Sequence, residues 1–282
     1  MIRTDVSTRL DDGGLVCGNP EKHLGPTILS YIDILGFSNA LMNNWGAHPE
    51  SALHKLLRIK ATIPSSDEKT QIPIALVNRE TDKTIERYLT ITRTLSDSVI
   101  TMAALPDICE WESFYCRVYS VLFSIRLIWQ QAIREGFTIR GVVELGDLFW
   151  NELEIIGPVL VTAYNLEKKV KTSRVIFGPN LLKNILTAFD SSGWPIDHGS
   201  SPINSMYCSD GLIAVNPRFI FAPNNLPLLE EIMNQAGENA YRYVETIRLL
   251  KENDGSIIKV PTIDDIKNSI KNAEALLKDK EL

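Results

Sequence analysis

Residues 31–39 read YIDILGFSN, a single acid, Asp33, set into an apolar run that begins upstream with PTILS at 26–30. Ile and Leu with one Tyr over residues 26–35, closed by Gly36, predict a buried strand. A carboxylate in such a strand costs on the order of several kcal/mol unless something pairs with it. Either the strand is not buried or Asp33 has a partner.

Working outward, residues 1–25 are polar and Gly-rich and read as a flexible N-terminal arm. A helix is expected from Ser38 to Lys60, then a solvated loop at PSSDEKTQ (64–71). RYLTITRTLSDSVITMA (87–103) alternates apolar and polar residues on both sides of LSDS, a β-hairpin pattern with a four-residue tip. Between Pro106 and Gly136 the residues Trp111, Phe114, Val118, Val121, Leu122 and Ile125 recur at three- and four-residue steps, the mark of a long core-facing helix. FTIRGVVELGDLFW (137–150) and LEIIG (153–157) read as strands around a turn, followed by a helix from Pro158 to Lys171. SRVIFG (173–178) is a short strand, and PNLLKNILTAF (179–189) opens a helix with Pro in its first turn. SSGWPIDHGSSPINS (191–205) is loop-like, MYCSDGLIAV (206–215) a hairpin, Leu226–Glu252 helical, and Thr262–Leu282 a charged surface helix. Alternating strands and helices give an α+β or α/β class with a mixed sheet.

Composition narrows the function classes. A net charge of −6 with no Lys/Arg block argues against nonspecific binding to nucleic acid or to an anionic membrane, so neither is an expected partner. No apolar stretch is long enough to span a bilayer, and MIRTDVSTRLDDGG lacks a leader's apolar core; a cytoplasmic protein is expected. Cys17, Cys109, Cys116 and Cys208 are scattered, and His23, His48, His54 and His198 form no cluster, which disfavours zinc and His-based catalysis. Cys109 and Cys116, seven apart, would share a helix face in the core. No phosphate-cradling glycine loop is present, which disfavours an ordinary ATPase or kinase.

The second informative stretch is TRTLSDSVI (92–100), with Asp97 at the hairpin tip. Asp-Ser at a turn is common for local reasons, since both side chains bond their own backbone. Beside Asp33 it becomes more specific: a carboxylate ending a buried strand and one on an adjacent tip can converge on a hard cation. Two carboxylates plus substrate phosphates suit Mg²⁺, and two such ions can clamp an in-line displacement at phosphorus. The plainer alternative is a pair of structural carboxylates.

DILGF (33–37) followed by SDS (96–98) resembles the class III nucleotidyl cyclases. With RGVVELGDLF (140–149) and GPVLVTAYNLE (157–167) in this order, the chain is similar to the standalone bacterial pyrimidine cyclases of anti-phage Pycsar systems, over about Thr27 to Val215. The resemblance implies a ferredoxin-like core, a mixed and mainly antiparallel sheet with helices on one face. It implies a catalytic domain at 26–222 and a helical C-terminal extension at 223–282 packed on the core. It implies two Mg²⁺ or Mn²⁺ ions held by Asp33, the Ile34 carbonyl and Asp97, and conversion of UTP to cyclic UMP, or CTP to cyclic CMP, with release of pyrophosphate. A homodimer with sites between the subunits follows, as does a separate effector that reads the cyclic nucleotide.

Base recognition on this resemblance falls to Arg93, where purine-using members carry Lys, and to Glu154. A planar guanidinium suits a pyrimidine carbonyl. Tyr31, two residues before Asp33, shares its face of the strand and could line the same pocket. Phosphate contacts are implied at Gly36 and Phe37. Where the wider family places a transition-state Asn this chain has Val161, and where it places Arg this chain has Asn165. Val cannot hydrogen-bond, so Asn165, Arg140, Lys168 and Arg174 are the candidate replacement donors. A purine cyclase of the same fold and a catalytically silent nucleotide sensor remain as alternatives.

Overall fold

The computed structural model describes residues 6–9, 15–18, 22–62, 74–78, 83–88, 90–106, 109, 111–192, 205–208, 210–216, 226–237, 240–251 and 261–279. The expected loop at 64–71, His198, and the connection at 217–225 that holds the 222/223 boundary lie outside these residues, as does most of 191–205.

The central element is β3 (His23–Leu35), a 13-residue strand paired along its whole length with β8 (Thr138–Trp150) and over Thr27–Asp33 with β7 (Ser98–Ala104). Beyond β7 lies β6 (Ile91–Leu95). The chain runs from β3 through α1 (Phe37–Asn43) and α2 (Ala52–Ala61), then β6, β7, α3 (Trp111–Arg134) and β8. This is a βαββαβ unit whose strands lie in the order fourth, first, third, second, the ferredoxin-like arrangement.

After β8 come β9 (Ile155–Ile156), α4 (Pro158–Lys169), β10 (Val175–Phe177), α5 (Pro179–Ser192), β11 (Ser205–Tyr207) and β12 (Ile213–Val215). The full sheet reads β11-β12-β10-β8-β3-β7-β6 with β9 beside β8, and β10 on β8 is its parallel pair. Three helices follow: α6 (Leu226–Gln235), α7 (Tyr241–Lys251) and α8 (Ile263–Lys278).

Two cores follow from the alternation of β3. Ile28, Ile32 and Ile34 face α3, whose Val118, Val121, Leu122 and Ile125 are fully buried, together with residues of α5, α6 and α7. Each such side chain contributes about 1.5–3 kcal/mol relative to an exposed one. Leu29 and Tyr31 face the other way, onto Val159, Ala163 and Leu166 of α4 and Ala273 of α8. Helices therefore cover both faces. The expectation of one helical face holds for α3 and its neighbours and is corrected for α4, whose apolar positions at three- and four-residue steps need a second sheet face to bury against. Gly141 makes the sheet possible at its centre: a Cβ there would lie 2.4 Å from the Tyr31 carbonyl oxygen.

Other differences have local causes. Within the expected arm, β1 (Val6–Arg9) and β2 (Leu15–Gly18) are strands, and with β4 (Ile74–Asn78) and β5 (Lys83–Tyr88) they form a separate sheet ordered β1-β2-β5-β4. The single helix expected over 38–60 breaks at residues 44–51, where Ser51 starts α2 by accepting the His54 backbone N–H at 3.3 Å. Cys109 precedes α3 rather than sharing its face with Cys116; Cys109 packs against the larger core, and Cys116 is buried. The C-terminal helix exposes Asp264, Lys267, Lys271 and Lys278 and packs its other side on the protein: Ile266 and Ile270 join one core and Ala273 the other. No described helix is long and apolar enough to cross a membrane.

Candidate functional site

The corner where β3 ends and β6 turns into β7 brings the two acids together. Leu95 pairs with Ser98, so the hairpin tip is the two residues Ser96 and Asp97, tighter than the four-residue tip expected. Ser96 takes a φ of 52°, the left-handed conformation that such short turns require. Asp33 lies directly opposite Ser98, and the Ile34 N–H donates to the Asp97 carbonyl at 3.2 Å. Gly36 follows with φ 90°, a value that favours glycine, and swings the chain into α1. Phe37 is buried with its ring 6.2 Å from that of Phe137, so the side chain belongs to the core and only its main chain is left for a ligand.

Asp33 has a protein partner. Arg140 sits opposite it on β8, with Nη2 donating to the Asp33 carboxylate at 3.3 Å. The same guanidinium is ion-paired with Glu167 of α4 and donates from Nη1 to the Val170 carbonyl at 3.3 Å. Burial raises the Glu167 pKa, and the Arg140 charge works against that rise. Arg140, one of the candidate replacement donors, is thus held by two acids and a carbonyl. Lys60, in the last turn of α2, lies within reach of the Asp97 charge; burial lowers its pKa and Asp97 opposes the change.

Tyr31 shares the face of Asp33. Its hydroxyl is hydrogen-bonded to Ser98 Oγ at 2.9 Å, and its ring meets Tyr164 edge-on at 5.7 Å. Burial raises the Tyr31 pKa, against the effect of the Ser98 bond. The Lys168 ammonium stands 4.0 Å from the centre of the Tyr164 ring, a cation–π contact. Val161 and Asn165 are exposed on α4, in line with Tyr164 and Lys168 at helical spacing. Arg93 pairs with Ile100, which pairs with Tyr31, placing Arg93 on the same face two strands away, about 10 Å between backbones.

Two expected residues lie elsewhere. Glu154 is exposed in the turn after β8, near Trp150, which pairs with His23; Asp33 is ten residues further along β3, about 33 Å away. Arg174 is buried and ion-paired with Asp210, with Nη1 to Oδ1 at 3.0 Å, and so ties β10 to the β11–β12 turn. In this subunit the candidate replacement donor Arg174 has its guanidinium on that carboxylate. Sequence reasoning missed Glu167 and Lys60. Glu167 did carry a signal, an acid at helical spacing from the buried Val159 and Ala163; Lys60 carried none.

Among the described residues no three His, Cys, Asp or Glu side chains cluster to hold a metal by themselves. The corner offers Asp33 and Asp97 carboxylates and main-chain carbonyls, hard oxygen donors with few protein ligands. That set fits Mg²⁺ or Mn²⁺ completed by substrate phosphates.

No protein family matches the chain, and no curated protein does. A solved bacterial light-regulated adenylyl cyclase is similar at 12% identity and a TM-score of 0.33, over 58% of this chain. The match spans 46% of that protein's chain.

Proposed function

We propose that the chain is a nucleotidyl cyclase acting on a pyrimidine nucleoside triphosphate, UTP or CTP. The observation that carries this reading is the convergence of Asp33 and Asp97 at one corner of a ferredoxin-like sheet, through the Ile34–Asp97 hydrogen bond and the Asp33–Ser98 pairing. In the proposed reaction the ribose 3′-hydroxyl gives its proton to solvent and its oxygen bonds the α-phosphorus, while the bond from that phosphorus to the β-bridging oxygen breaks and pyrophosphate leaves. Two divalent cations, held by Asp33, Asp97 and the Ile34 carbonyl, would supply the positive charge this displacement needs.

The chain's own residues divide the remaining work. Arg140, fixed by Glu167, shares Asp33 and keeps its carboxylate aimed at the corner. Ser98 fixes the Tyr31 hydroxyl on the face that also carries Arg93, and these two side chains form the base-reading wall. Asn165 and Lys168, exposed on α4, and Glu154, far from Asp33 in its own subunit, are suited to a site completed by a second copy of the chain. On this reading residues 26–222 are the catalytic domain and 223–282 its extension, the product is a signal read by a separate effector in anti-phage defence, and the protein works in the cytoplasm.

A silent nucleotide sensor is the second reading, favoured by one observation: Asp33 already has a cationic partner. Incubation of the purified chain with each of the four nucleoside triphosphates and Mn²⁺, with products resolved by mass, decides between them. A cyclic pyrimidine monophosphate is expected. Cyclic AMP or GMP would overturn the base assignment, and no product with retained nucleotide binding would favour the sensor.

A further inference from the structure

Arg140 is shared by two acids that are not equivalent. Its Nε is ion-paired with Glu167, whose side chain is 4% exposed, while its Nη2 reaches Asp33, 23% exposed, through a bond of 3.3 Å. Charge-assisted bonds of this kind run at about 2.7–2.9 Å, and an arginine facing one carboxylate commonly meets it with two parallel bonds. Asp33 therefore has the weaker share of the guanidinium. Glu167 has the stronger, in a place where water screens the attraction least.

Glu167 is costly where it stands. It lies on the inner face of α4 with Val159 and Ala163, at four-residue steps, and in the last turn, where the helix dipole disfavours an acid. A buried ion pair there adds little net stability over apolar residues of similar volume. α4 nevertheless gives Arg140 both this carboxylate and the Val170 carbonyl just past its end. Lys60, within reach of Asp97, and Lys168, exposed and close to Glu167, add positive charge near these acids. A divalent cation at Asp33 then depends on an acid that draws Arg140 off.

We propose, on the reading of the Asp33–Asp97 corner as a divalent-cation site, that Glu167 is a positioning residue: it holds the larger share of the Arg140 charge and so leaves the Asp33 carboxylate available to the cation. Arg140 aims Asp33, and Glu167 offsets the repulsion that a guanidinium so close imposes on the cation.

Mn²⁺ titration of the full chain without nucleotide, read from the electron paramagnetic resonance signal of free Mn²⁺, tests this. The native chain is expected to bind, and Asp33→Asn to lose that binding. Glu167→Gln keeps an oxygen for the Arg140 N–H but lacks the charge, so its Mn²⁺ affinity should fall at least about tenfold with an unchanged circular-dichroism spectrum. Removing both charges, in Arg140→Gln/Glu167→Gln, should recover at least about threefold over Glu167→Gln, a recovery that a merely structural pair does not give. Native affinity or loss of the fold in Glu167→Gln, no recovery in the double variant, or no Asp33-dependent Mn²⁺ binding would overturn the proposal. Product formation from UTP or CTP by the same native preparation separates it from the cyclase reading. Product together with native Mn²⁺ affinity in Glu167→Gln overturns the positioning role alone; the full Mn²⁺ pattern without product upholds that role while the cyclase reading fails.

Discussion

Asp33 on β3 and Glu144 on β8 are acids set among apolar strand residues of one sheet, and the structure treats them in opposite ways. Asp33 stands at a strand end with its side chain 23% exposed, opposite an arginine. Glu144 is fully buried: one carboxylate oxygen accepts the backbone N–H groups of Leu145 at 2.8 Å and Leu181 at 2.9 Å, which anchors the first turn of α5. The other oxygen has no partner among the described residues and packs where a Cβ on Gly178 would stand, 2.4 Å away. Burial pushes the Glu144 pKa up to about 7, with the backbone bonds opposing. A carboxylate kept half-open beside a cation is available to a ligand; one sealed against a helix terminus is part of the frame.

The sharpest separation concerns Asp97, the partner of Asp33 at the corner. Asp97→Ala should cut cyclase turnover by at least about a thousandfold, the scale of removing one group that stabilises charge in a displacement. The fold should be unchanged, since Asp97 meets Ile34 through its main-chain carbonyl, which alanine keeps. Product formation by mass and the urea midpoint, measured on the same preparation, check both halves. Activity surviving the change would overturn the proposed metal-holding role of Asp97.

Glu144 should show itself through pH instead. Its folded pKa of about 7 lies above the ordinary value of 4.5, so the folded chain holds this proton at a pH where the unfolded chain has released it. The associated stability is present in full below about pH 4.5 and is lost as pH rises through about 7, amounting to at most about 3 kcal/mol. Urea midpoints at pH 5 and pH 8 should therefore fall further for the native chain than for Glu144→Gln, which cannot titrate. Parallel falls would mean that Glu144 is ionised and fully satisfied in the folded protein.

Much of this frame was readable because it is periodic. α3 and α4 each bury one regular set of apolar residues, β3 and β8 bury apolar residues on both faces, and the strand order then follows from short connections. The corner was readable for a related reason, since acids interrupting an apolar pattern are visible in the chain itself. Their partners were not. Arg140 meets Asp33 across 107 residues and Leu181 meets Glu144 across 37, contacts that no local spacing reports. The question raised by Asp33 has an answer within the chain itself: its cationic partner is Arg140, inside the RGVVELGDLF motif. The small sheet of β1, β2, β4 and β5 was missed because its strands are short and its segments carry many charged and polar residues.

The smallest expected effect bears most directly on the comparison. Asp33→Asn removes the charge facing Arg140 while keeping an oxygen acceptor in place. Arg140 retains Glu167 and the Val170 carbonyl, so its guanidinium is not left unpaired. Both side chains are about one-fifth exposed and the ion pair is long at 3.3 Å, which puts its worth within about 1 kcal/mol. The urea midpoint should barely move, even as turnover drops. A loss of 3 kcal/mol or more would make Asp33 a framing carboxylate of the Glu144 kind, and the proposed chemistry at the corner would then lose the partly exposed acid on which it depends.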